Sequence, residues 1–237
     1  MVSDNRAMVL CSGGLDSTTL LAMMVDRLGA ENVVALSISY GQKHVREMES
    51  AKAVARYYGV QQRFLDLGAL FAESNCSLLS HSTCSVPHES YATQLEEAEG
   101  ALVSTYVPFR NGLFLSSAAS MALSLDCGIL CYGAHHDDWA DDAYPDCSQE
   151  FVDTMGAAIR LGSGGALRLE APFVQWSKAR IVEEGLKMGV PYHLTWSCYE
   201  GGEEPCGVCA TCIDRKRAFE LNNTTDPLLT GMPAACE

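Results

Sequence analysis

The sequence lacks any long uninterrupted run of apolar residues, although 48% of its 237 residues are hydrophobic and only 19% are charged. A membrane-spanning helix needs about 20 consecutive, predominantly apolar residues, and no stretch approaches that length. The first residues carry Asp4 beside Arg6 with no apolar run before Ala7, unlike a secretory signal peptide. We therefore expect a cytoplasmic, globular protein that buries one substantial core.

Basic charge is also scarce, because 16 Lys and Arg residues stand against 30 Asp and Glu residues, for a formal net charge of -14. An acidic surface repels a phosphate backbone unless its basic residues cluster, and the sequence contains no basic block. Nucleic acid is therefore not expected as a substrate or partner. Internal repeats and low-complexity linkers are absent as well, which leaves one large domain, or one domain with a small appendage.

Short apolar runs bounded by glycine alternate along the chain with segments of helical spacing. Strands are predicted at residues 7–10, 33–40, 63–67, 129–134 and 167–171. Helices are predicted at residues 17–28, 44–58, 111–125, 149–160 and 177–188. Alternating strands and helices form right-handed crossovers, which give a parallel sheet with helices on both faces. We expect an α/β domain of this kind over residues 1–196.

Ligands of such sheets bind at the carboxyl ends of the strands. The loops at that edge are residues 11–17, 41–44, 133–146 and 173–178. Residues 71–105 form a long, polar and irregular segment, which is typical of a lid or binding loop. From about Ser197 the alternation is lost, so residues 197–237 are expected to form a separate small unit packed on the α/β domain.

A glycine-rich loop follows the first predicted strand directly, in the order Ser12-Gly13-Gly14-Leu15-Asp16-Ser17. Glycines permit a tight turn, and the N–H groups at a helix N-terminus form a seat for phosphate. Asp16 would repel phosphate, but it fits the loop if it holds a Mg²⁺ ion that bridges phosphate oxygens. The plain alternative is a strand–helix turn in which Ser17 is the N-cap.

The loop lacks the lysine of a Walker-type phosphate loop and resembles the PP-loop of the ATP pyrophosphatases. That resemblance implies an adenine nucleotide alpha-hydrolase-like fold and cleavage of ATP to AMP and pyrophosphate. The residues it marks as ATP-binding are Leu10, Cys11, Ser12, Gly13, Gly14, Leu15, Asp16, Ser17 and Thr18.

Cysteine is abundant, with 11 residues in a chain that shows no export signal. Four of them, Cys198, Cys206, Cys209 and Cys212, have the spacing C-x7-C-x2-C-x2-C. Thiolates at these intervals close a tetrahedral site that suits zinc and leaves no open position for catalysis. We therefore predict a structural zinc site; an iron–sulfur cluster and a set of unpaired structural cysteines are the alternatives.

Two basic residues are candidates for catalysis. Lys178 lies in the first turn of a predicted helix behind a possible N-cap, Ser177, where a cation opposes the helix dipole. We expect Lys178 to neutralise phosphate charge in a transition state; the alternative is a solvated helix lysine. Arg110 is a candidate clamp for phosphate or for a substrate carboxylate, and its alternative is a structural salt bridge.

Further short segments occur in a fixed order between the two motifs, at residues 40–44, 106–111, 144–147, 171–178 and 214–215. Together with the PP-loop and the cysteines, they resemble the QueC family of 7-cyano-7-deazaguanine synthases over about residues 7–229. The resemblance implies an ATP-dependent carbon–nitrogen ligase of queuosine biosynthesis. Its substrates would be 7-carboxy-7-deazaguanine, ammonia and ATP, its cofactors structural Zn²⁺ and Mg²⁺, and its assembly a homodimer.

The implied reaction requires two activations, because a carboxylate must lose two oxygens to become a nitrile. Adenylation of the acid followed by attack of ammonia gives the amide, and adenylation of the amide oxygen followed by loss of AMP gives the nitrile. The resemblance implies catalytic roles for Lys178, Asp16 and Arg110. It implies substrate contacts for Tyr40, Gln42, His44, Asn111, Asp137, Tyr144 and Asp146. A helix-start role is the equal alternative for His44, and Mg²⁺ binding is the alternative for Asp137 or Asp138.

The stretch from His135 to Asp142 departs from the family pattern. His136 is larger than the residue that the pattern has at this position, and the residues that follow it are bulkier and more acidic than in the pattern. His135 and His136 beside two carboxylates also admit a second metal site. Three other functions stay open. They are a PP-loop enzyme that modifies tRNA directly, a QueC-like enzyme that passes the activated deazaguanine to a protein or other amine, and a zinc module that binds ATP without catalysis.

Overall fold

The computed structural model describes residues 2–43, 45–97, 102–139 and 144–230. The strands are β1 (Ser3–Leu10), β2 (Val33–Ser39), β3 (Gln61–Asp66), β4 (Cys127–Cys131) and β5 (Arg168–Glu170). They form a 5-stranded sheet in the order β3-β2-β1-β4-β5, and every neighbouring pair is parallel. The predicted parallel α/β sheet is confirmed.

The longer helices are α1 (Leu15–Leu28), α2 (Arg46–Tyr57), α4 (Arg110–Ser124), α6 (Gln149–Gly162), α7 (Lys178–Lys187) and α8 (Ala210–Leu221). The shorter ones are α3 (Tyr91–Glu97), α5 (His136–Trp139) and α9 (Pro227–Thr230). Every strand and helix predicted from the sequence occurs, with ends that shift by a few residues. The strand predicted to reach residue 134, for example, ends at Cys131.

Four of these helices, α3, α5, α8 and α9, were not predicted. Helix α8 is the longest of them, and its buried face contains Cys212 and Arg215 beside Ala218 and Phe219. A search for an apolar stripe misses such a helix, because an arginine and a metal-site cysteine take positions that the pattern assigns to the core.

Helices cover both faces of the sheet. Alternate side chains of a strand point to opposite faces, and in β1 Ala7 and Val9 enter one core cluster while Met8 enters the other. Helices α1, α2, α7 and α8 pack on the first face, and helices α4 and α6 pack on the second. Because both faces of the sheet are buried, the strands are nearly continuous apolar runs, as the sequence shows.

The segment predicted as a lid or binding loop packs on the carboxyl-end side of the sheet. Leu78 and Leu79 form a small buried cluster with Tyr40, the residue that follows β2. Farther along the segment, Val86 packs against Trp196 and three of the clustered cysteines. The segment therefore contacts both the end of the sheet and the C-terminal unit; closure over the site stays a prediction.

A helix that crosses a bilayer needs about 20 predominantly apolar residues. Within the described residues, each helix is too short or too polar to cross a membrane.

Candidate active site

The order of the strands reverses at β1. The chain adds β2 and β3 on one side of β1 and then adds β4 and β5 on its other side. In open α/β sheets, ligands bind at this switch point beyond the carboxyl ends of the strands. A cleft with a volume of about 230 Å³ opens there. Most of the sequence-predicted site residues line it: Leu10, Cys11, Ser12, Gly14, Leu15, Asp16, Ser17, Tyr40, Gln42, Arg110, Asn111, Tyr144 and Lys178.

The glycine-rich loop leaves the N-terminus of α1 open toward this cleft. Gly14 is the N-cap and no side chain caps the helix, so the leading N–H groups are available to a ligand. Gly13 has φ +84°, and a Cβ built on it would lie 2.3 Å from the backbone nitrogen of Ala51 in α2. Glycine is therefore required at this position by its backbone conformation and by the close approach of α2.

Two hydroxyl groups of the loop lie close together in the cleft. Ser12 Oγ is 3.1 Å from Ser17 Oγ and accepts a hydrogen bond from the Gly14 nitrogen at 3.2 Å. The Ser17 hydroxyl donates to the Gly14 carbonyl at 3.2 Å. Thr18 is fully buried, lies outside the cleft lining, and its hydroxyl has no hydrogen-bond partner among the described residues. Ser12 and Ser17 are therefore the hydroxyls placed to meet a phosphate.

Asp16 and Lys178 meet at the end of the cleft beside the glycine-rich loop, which we call the phosphate end after the predicted role of that loop. The Asp16 Oδ2 and Lys178 Nζ atoms are 3.5 Å apart there. Burial by itself would raise the pKa of the Asp16 carboxyl, but Lys178 and His135 outweigh burial and hold that pKa below its usual value. Asp16 is therefore ionised at neutral pH. Its Oδ1 atom is buried and has no hydrogen-bond partner in the described part of the chain.

Lys178 is buried, which contradicts the alternative of a solvated helix lysine. Ser177 is the N-cap of α7 as predicted, with its hydroxyl accepting from the Arg180 nitrogen. Burial alone would lower the pKa of the Lys178 ammonium, but four carboxylates raise it above its usual value, namely Asp16, Asp138, Asp214 and Asp137. The ammonium is therefore a fixed positive charge inside the cleft.

The loop after β4 supplies two more groups to this end of the cleft. The His135 Nε2 atom lies 3.3 Å from Asp138 Oδ2 and 3.7 Å from Asp16 Oδ2, and Asp138 lines the cleft. Asp137 does not line it. The Asp137 Oδ2 atom instead accepts a hydrogen bond from the Lys178 backbone nitrogen at 2.8 Å, so Asp137 holds the start of α7 in place.

The opposite end of the cleft is built around Arg110 and aromatic rings. The Arg110 guanidinium carbon lies 5.3 Å from the ring centroid of Tyr40 and 6.0 Å from that of Phe114. Among the described residues, its hydrogen bonding is limited to a long contact of 3.5 Å to the Tyr40 hydroxyl. In the described part of the chain no carboxylate is within ion-pair distance of Arg110, so the structural salt bridge is not observed. The guanidinium is free to bind an anion.

Asn111, Tyr144 and Asp146 form the wall beside Arg110. The Asn111 nitrogen donates to Asp146 Oδ2 at 3.0 Å, and the Tyr144 hydroxyl lies 2.6 Å from Thr105 Oγ1. Burial raises the pKa of Asp146 and brings that of Tyr144 to about 12. Asp146 is 5% exposed and does not line the cleft. Its position is that of a support for the start of α4.

Gln42 lines the cleft, and its Oε1 atom accepts a hydrogen bond from the Tyr40 nitrogen at 2.9 Å. The substrate contact predicted for His44 falls on a residue outside the described ones. The same is true of Asp141 and Asp142 in the acidic run after β4.

The four clustered cysteines bring their sulfur atoms together near the start of α8. All four Sγ atoms lie within 4.8 Å of one another, and those of Cys206 and Cys212 are 4.0 Å apart. Zinc–sulfur bonds of about 2.3 Å place tetrahedral sulfurs about 3.8 Å apart. A polynuclear iron–sulfur cluster would hold its sulfurs farther apart, since several metal ions lie between them. The geometry is compatible with one structural zinc ion.

Hydrogen bonds to the sulfurs support this assignment over unpaired cysteines. The Cys206 nitrogen donates to Cys198 Sγ and the Cys209 nitrogen donates to Cys206 Sγ, both at 3.3 Å. Such donors favour thiolates, the form that binds metal. Among the described residues, no second group of three or more His, Cys, Asp or Glu ligands comes this close together, so a metal site at His135 and His136 is not observed.

The segment around the cysteines also forms part of the cleft wall. The Trp196 nitrogen donates to the Gly13 carbonyl at 2.9 Å, and Trp196, Tyr199 and Thr211 line the cleft. The Tyr199 hydroxyl lies 2.9 Å from that of Tyr91 in α3. The cysteine cluster therefore lies in a segment that forms one wall of the cleft, and not in a detached tail.

Sequence reasoning did not select Glu47 and Phe114 as site residues, although both line the cleft. Phe114 has no distinguishing signal in a helix rich in apolar residues. Glu47 lies in the polar first turn of α2, where acidic residues are common for helix-dipole reasons. Only the packing of α2 against the glycine-rich loop places it in the cleft.

Comparison with known proteins agrees with this site. The family model described as "Queuosine biosynthesis protein QueC" matches residues 6–223. A 7-cyano-7-deazaguanine synthase of Caldicellulosiruptor saccharolyticus is 44% identical over 223 residues, covering 94% of this chain and 94% of the relative. Enzymes of the same name from Archaeoglobus fulgidus and Thermoplasma acidophilum are each 40% identical, over 95% and 94% of this chain and 90% and 91% of their own lengths.

Proposed function

The chain belongs to the QueC family of queuosine biosynthesis proteins, and we propose that it forms 7-cyano-7-deazaguanine from 7-carboxy-7-deazaguanine, ammonia and ATP. The relatives that bear the name of this carbon–nitrogen ligase match the chain over nearly their whole length. The structural observation that supports the reaction most directly is the Asp16–Lys178 pair, 3.5 Å apart beside an uncapped helix N-terminus.

The chemistry proceeds through two adenylations. The substrate carboxylate attacks the α-phosphorus of ATP, pyrophosphate leaves, and ammonia displaces AMP to give the amide. The amide oxygen then attacks a second ATP, pyrophosphate leaves again, and loss of AMP with two N–H protons gives the nitrile. Both carboxyl oxygens depart on AMP. The chain contains no recognisable glutaminase segment, so free ammonia is the proposed nitrogen source.

The residues of the glycine-rich loop bind the phosphates of ATP in this proposal. The leading N–H groups of α1 and the hydroxyls of Ser12 and Ser17 donate to phosphate oxygens. The Oδ1 atom of Asp16 is buried and has no hydrogen-bond partner among the described residues, which fits a Mg²⁺ ligand. When bound, Mg²⁺ would supply positive charge that offsets the negative charge of the phosphates. Leu10, Cys11 and Leu15 complete this part of the wall.

Lys178 stabilises the transition state of each adenylation. Four carboxylates keep its ammonium protonated, and it lies at the phosphate end where negative charge develops on the α-phosphate. Asp137 and Ser177 position it by fixing the first turn of α7. Arg110 serves as a clamp for phosphate or for the substrate carboxylate, because it is a partly buried cation with no carboxylate partner in the described residues.

The other end of the cleft holds the deazaguanine. Tyr40 and Tyr144 offer aromatic surface to a flat heterocycle, and Gln42 and Asn111 offer amide groups. Asp146 acts through Asn111 rather than by contact. We keep the predicted division into an α/β catalytic domain at 1–196 and a zinc-binding unit at 197–237, with the zinc structural.

We further propose a cytoplasmic homodimer with small-molecule substrates and no nucleic acid partner. Among the described cysteines no disulfide occurs, which fits a reducing compartment. A net charge of -14 disfavours binding to a phosphate backbone. Size-exclusion chromatography with light scattering tests the dimer, and a gel shift with bulk tRNA tests the last point.

The reaction is tested by incubating the protein with 7-carboxy-7-deazaguanine, ammonium, ATP and Mg²⁺ and identifying the products by mass spectrometry. We expect the nitrile, AMP and pyrophosphate. AMP and amide without nitrile would instead favour an enzyme that passes the activated deazaguanine to another amine. Absence of AMP with intact metal content would contradict the proposed function and favour a zinc module that binds ATP without catalysis.

A further inference from the structure

Glu47 lies in the first turn of α2, between the two ends of the cleft. Its backbone packs against the glycine-rich loop, since a Cβ on Gly13 would come within 2.6 Å of the Glu47 carbonyl oxygen. Its side chain lines the cleft together with Tyr40, Arg110 and Phe114. Glu47 is thus held by packing at the place where the phosphate end meets the aromatic end.

The Glu47 carboxylate has acceptor capacity that the described residues do not use. It makes no hydrogen bond and no ion pair within residues 2–43, 45–97, 102–139 and 144–230. Burial raises the pKa of Glu47 to about 7, against the opposing charge of Arg110. A partly buried carboxylate without partners is costly, so a ligand that brings hydrogen-bond donors to it is favoured.

The surroundings restrict the ligand to a flat ring. The Tyr40 and Phe114 rings are 5.8 Å apart and inclined at 55°, and the Arg110 guanidinium lies over both. A ring placed here can pack against these aromatic groups. It also meets a carboxylate whose two oxygens match a pair of adjacent N–H donors.

The substrate of the proposed function has both a flat ring and such a pair of donors. On the edge of its six-membered ring that lies away from the carboxylate, 7-carboxy-7-deazaguanine carries a ring N–H beside an exocyclic amino group. Resting on that proposed function, we infer that Glu47 determines specificity for the heterocycle by accepting hydrogen bonds from this N–H and amino pair.

Glu49, on the same helix, provides a matched control that separates a purely structural role of Glu47 from ligand binding. Acidic residues in the first turn of a helix favour its dipole, and Glu47 and Glu49 both lie in the first turn of α2. Glu49 is exposed and absent from the cleft lining. Glu49→Gln therefore removes the same charge from the same turn without touching the cleft.

The test measures binding by calorimetry without ATP, using the full-length zinc-loaded protein. The ligands are 7-carboxy-7-deazaguanine and its analogue that lacks the exocyclic amino group. The wild type should prefer the amino-bearing ligand by about 100-fold or more, because a site built for a hydrogen-bond donor rejects a ligand without it. Glu47→Gln should weaken that ligand by about 30-fold, leave the analogue within about threefold, and so reduce the preference. Glu49→Gln should bind as the wild type does.

Three results would overturn the inference. One is an unchanged preference in folded Glu47→Gln, as judged by circular dichroism and zinc content. Another is an unchanged affinity for both ring ligands with a loss confined to ATP, measured in a separate titration with ATP alone, which would place Glu47 on the nucleotide. The third is a wild type that binds both ligands equally. Turnover is read separately, so a protein that binds with the expected preference but releases no AMP contradicts the proposed function and leaves the role of Glu47 supported.

Discussion

The carboxylate of Asp16 and the ammonium group of Lys178 lie 3.5 Å apart at the carboxyl end of the sheet. The first follows β1 in the glycine-rich loop and the second begins α7. Because four carboxylates surround Lys178, its charge is permanent at neutral pH. The pair therefore combines a candidate Mg²⁺ ligand with a fixed cation at one point of the cleft.

Replacing Lys178 should impair chemistry more than binding. We expect Lys178→Met to lower kcat for AMP release by about 100- to 1,000-fold, since the loss of one preorganised charge in a transition state has effects of that size. The KM for ATP should change by less than tenfold. Lys187→Met, on the exposed last turn of the same helix, is the control and should keep full activity. A kcat within threefold of wild type for Lys178→Met would exclude it from catalysis.

Substrate binding should weaken as the pH falls through about 7. The pKa of Glu47 is raised to about 7 by burial, with Arg110 on α4 and Tyr40 after β2 as the ionisable groups that face it. Below that pH the carboxyl is protonated and loses an acceptor, so the Kd of 7-carboxy-7-deazaguanine should be about tenfold higher at pH 6 than at pH 8. Glu47→Gln should remove this pH dependence, and Glu49→Gln should retain it; the same slope in both variants would show that another group titrates.

Removal of the metal should destabilise the wall of the cleft as well as the cysteine unit. We expect one zinc per chain by elemental analysis, and we expect Cys209→Ser or a strong chelator to lower the melting temperature by at least 5 °C, because metal binding contributes folding free energy. Substrate affinity should fall with it, since Tyr199 and Trp196 line the cleft beside this site. Cys84→Ser, outside the cluster, should keep its zinc. Unchanged melting after complete zinc removal would contradict a structural metal.

A buried ion pair ties α8 to the chain that precedes and follows it. Arg215 donates to Asp226 at 2.6 and 2.8 Å, and to Thr195 Oγ1 and the Tyr192 carbonyl at 2.7 and 3.0 Å. Removing one partner leaves a buried charge, which typically costs about 3 to 5 kcal/mol. Arg215→Met should therefore lower the free energy of unfolding in urea by that amount. Arg217→Met, exposed on the same helix, should change it by less than about 0.5 kcal/mol, and equal effects of the two would show that α8 is held by other contacts.

Several features of the site can be predicted from the sequence because they depend on residues close together in the chain. The glycine-rich loop needs a tight turn and an open helix start, and both are encoded in consecutive residues. The alternation of apolar runs with segments of helical spacing likewise predicts the strands β1 to β5. The four cysteines lie within 15 residues of one another, so their spacing alone indicates a metal site.

Other features depend on which side of a short element faces the cleft. Asp137 and Asp138 are neighbours, yet Asp137 accepts a hydrogen bond from the first residue of α7 while Asp138 lines the cleft. Asp146 has the residue type of a substrate ligand but is buried against the start of α4. Such choices rest on contacts with helices distant in the sequence, and no local pattern contains them.

The sequence by itself determined the α/β class, the glycine-rich loop and the cluster of four cysteines, since each follows from residue type and short-range spacing. Only the tertiary structure decided that Lys178 is buried beside Asp16, that Arg110 lacks a carboxylate partner among the described residues, and that Glu47 faces the cleft. The physical reason is the packing of α2, α4 and α7 around the switch point of one sheet. Charge, burial and partners at each side chain are set there by residues far apart along the chain.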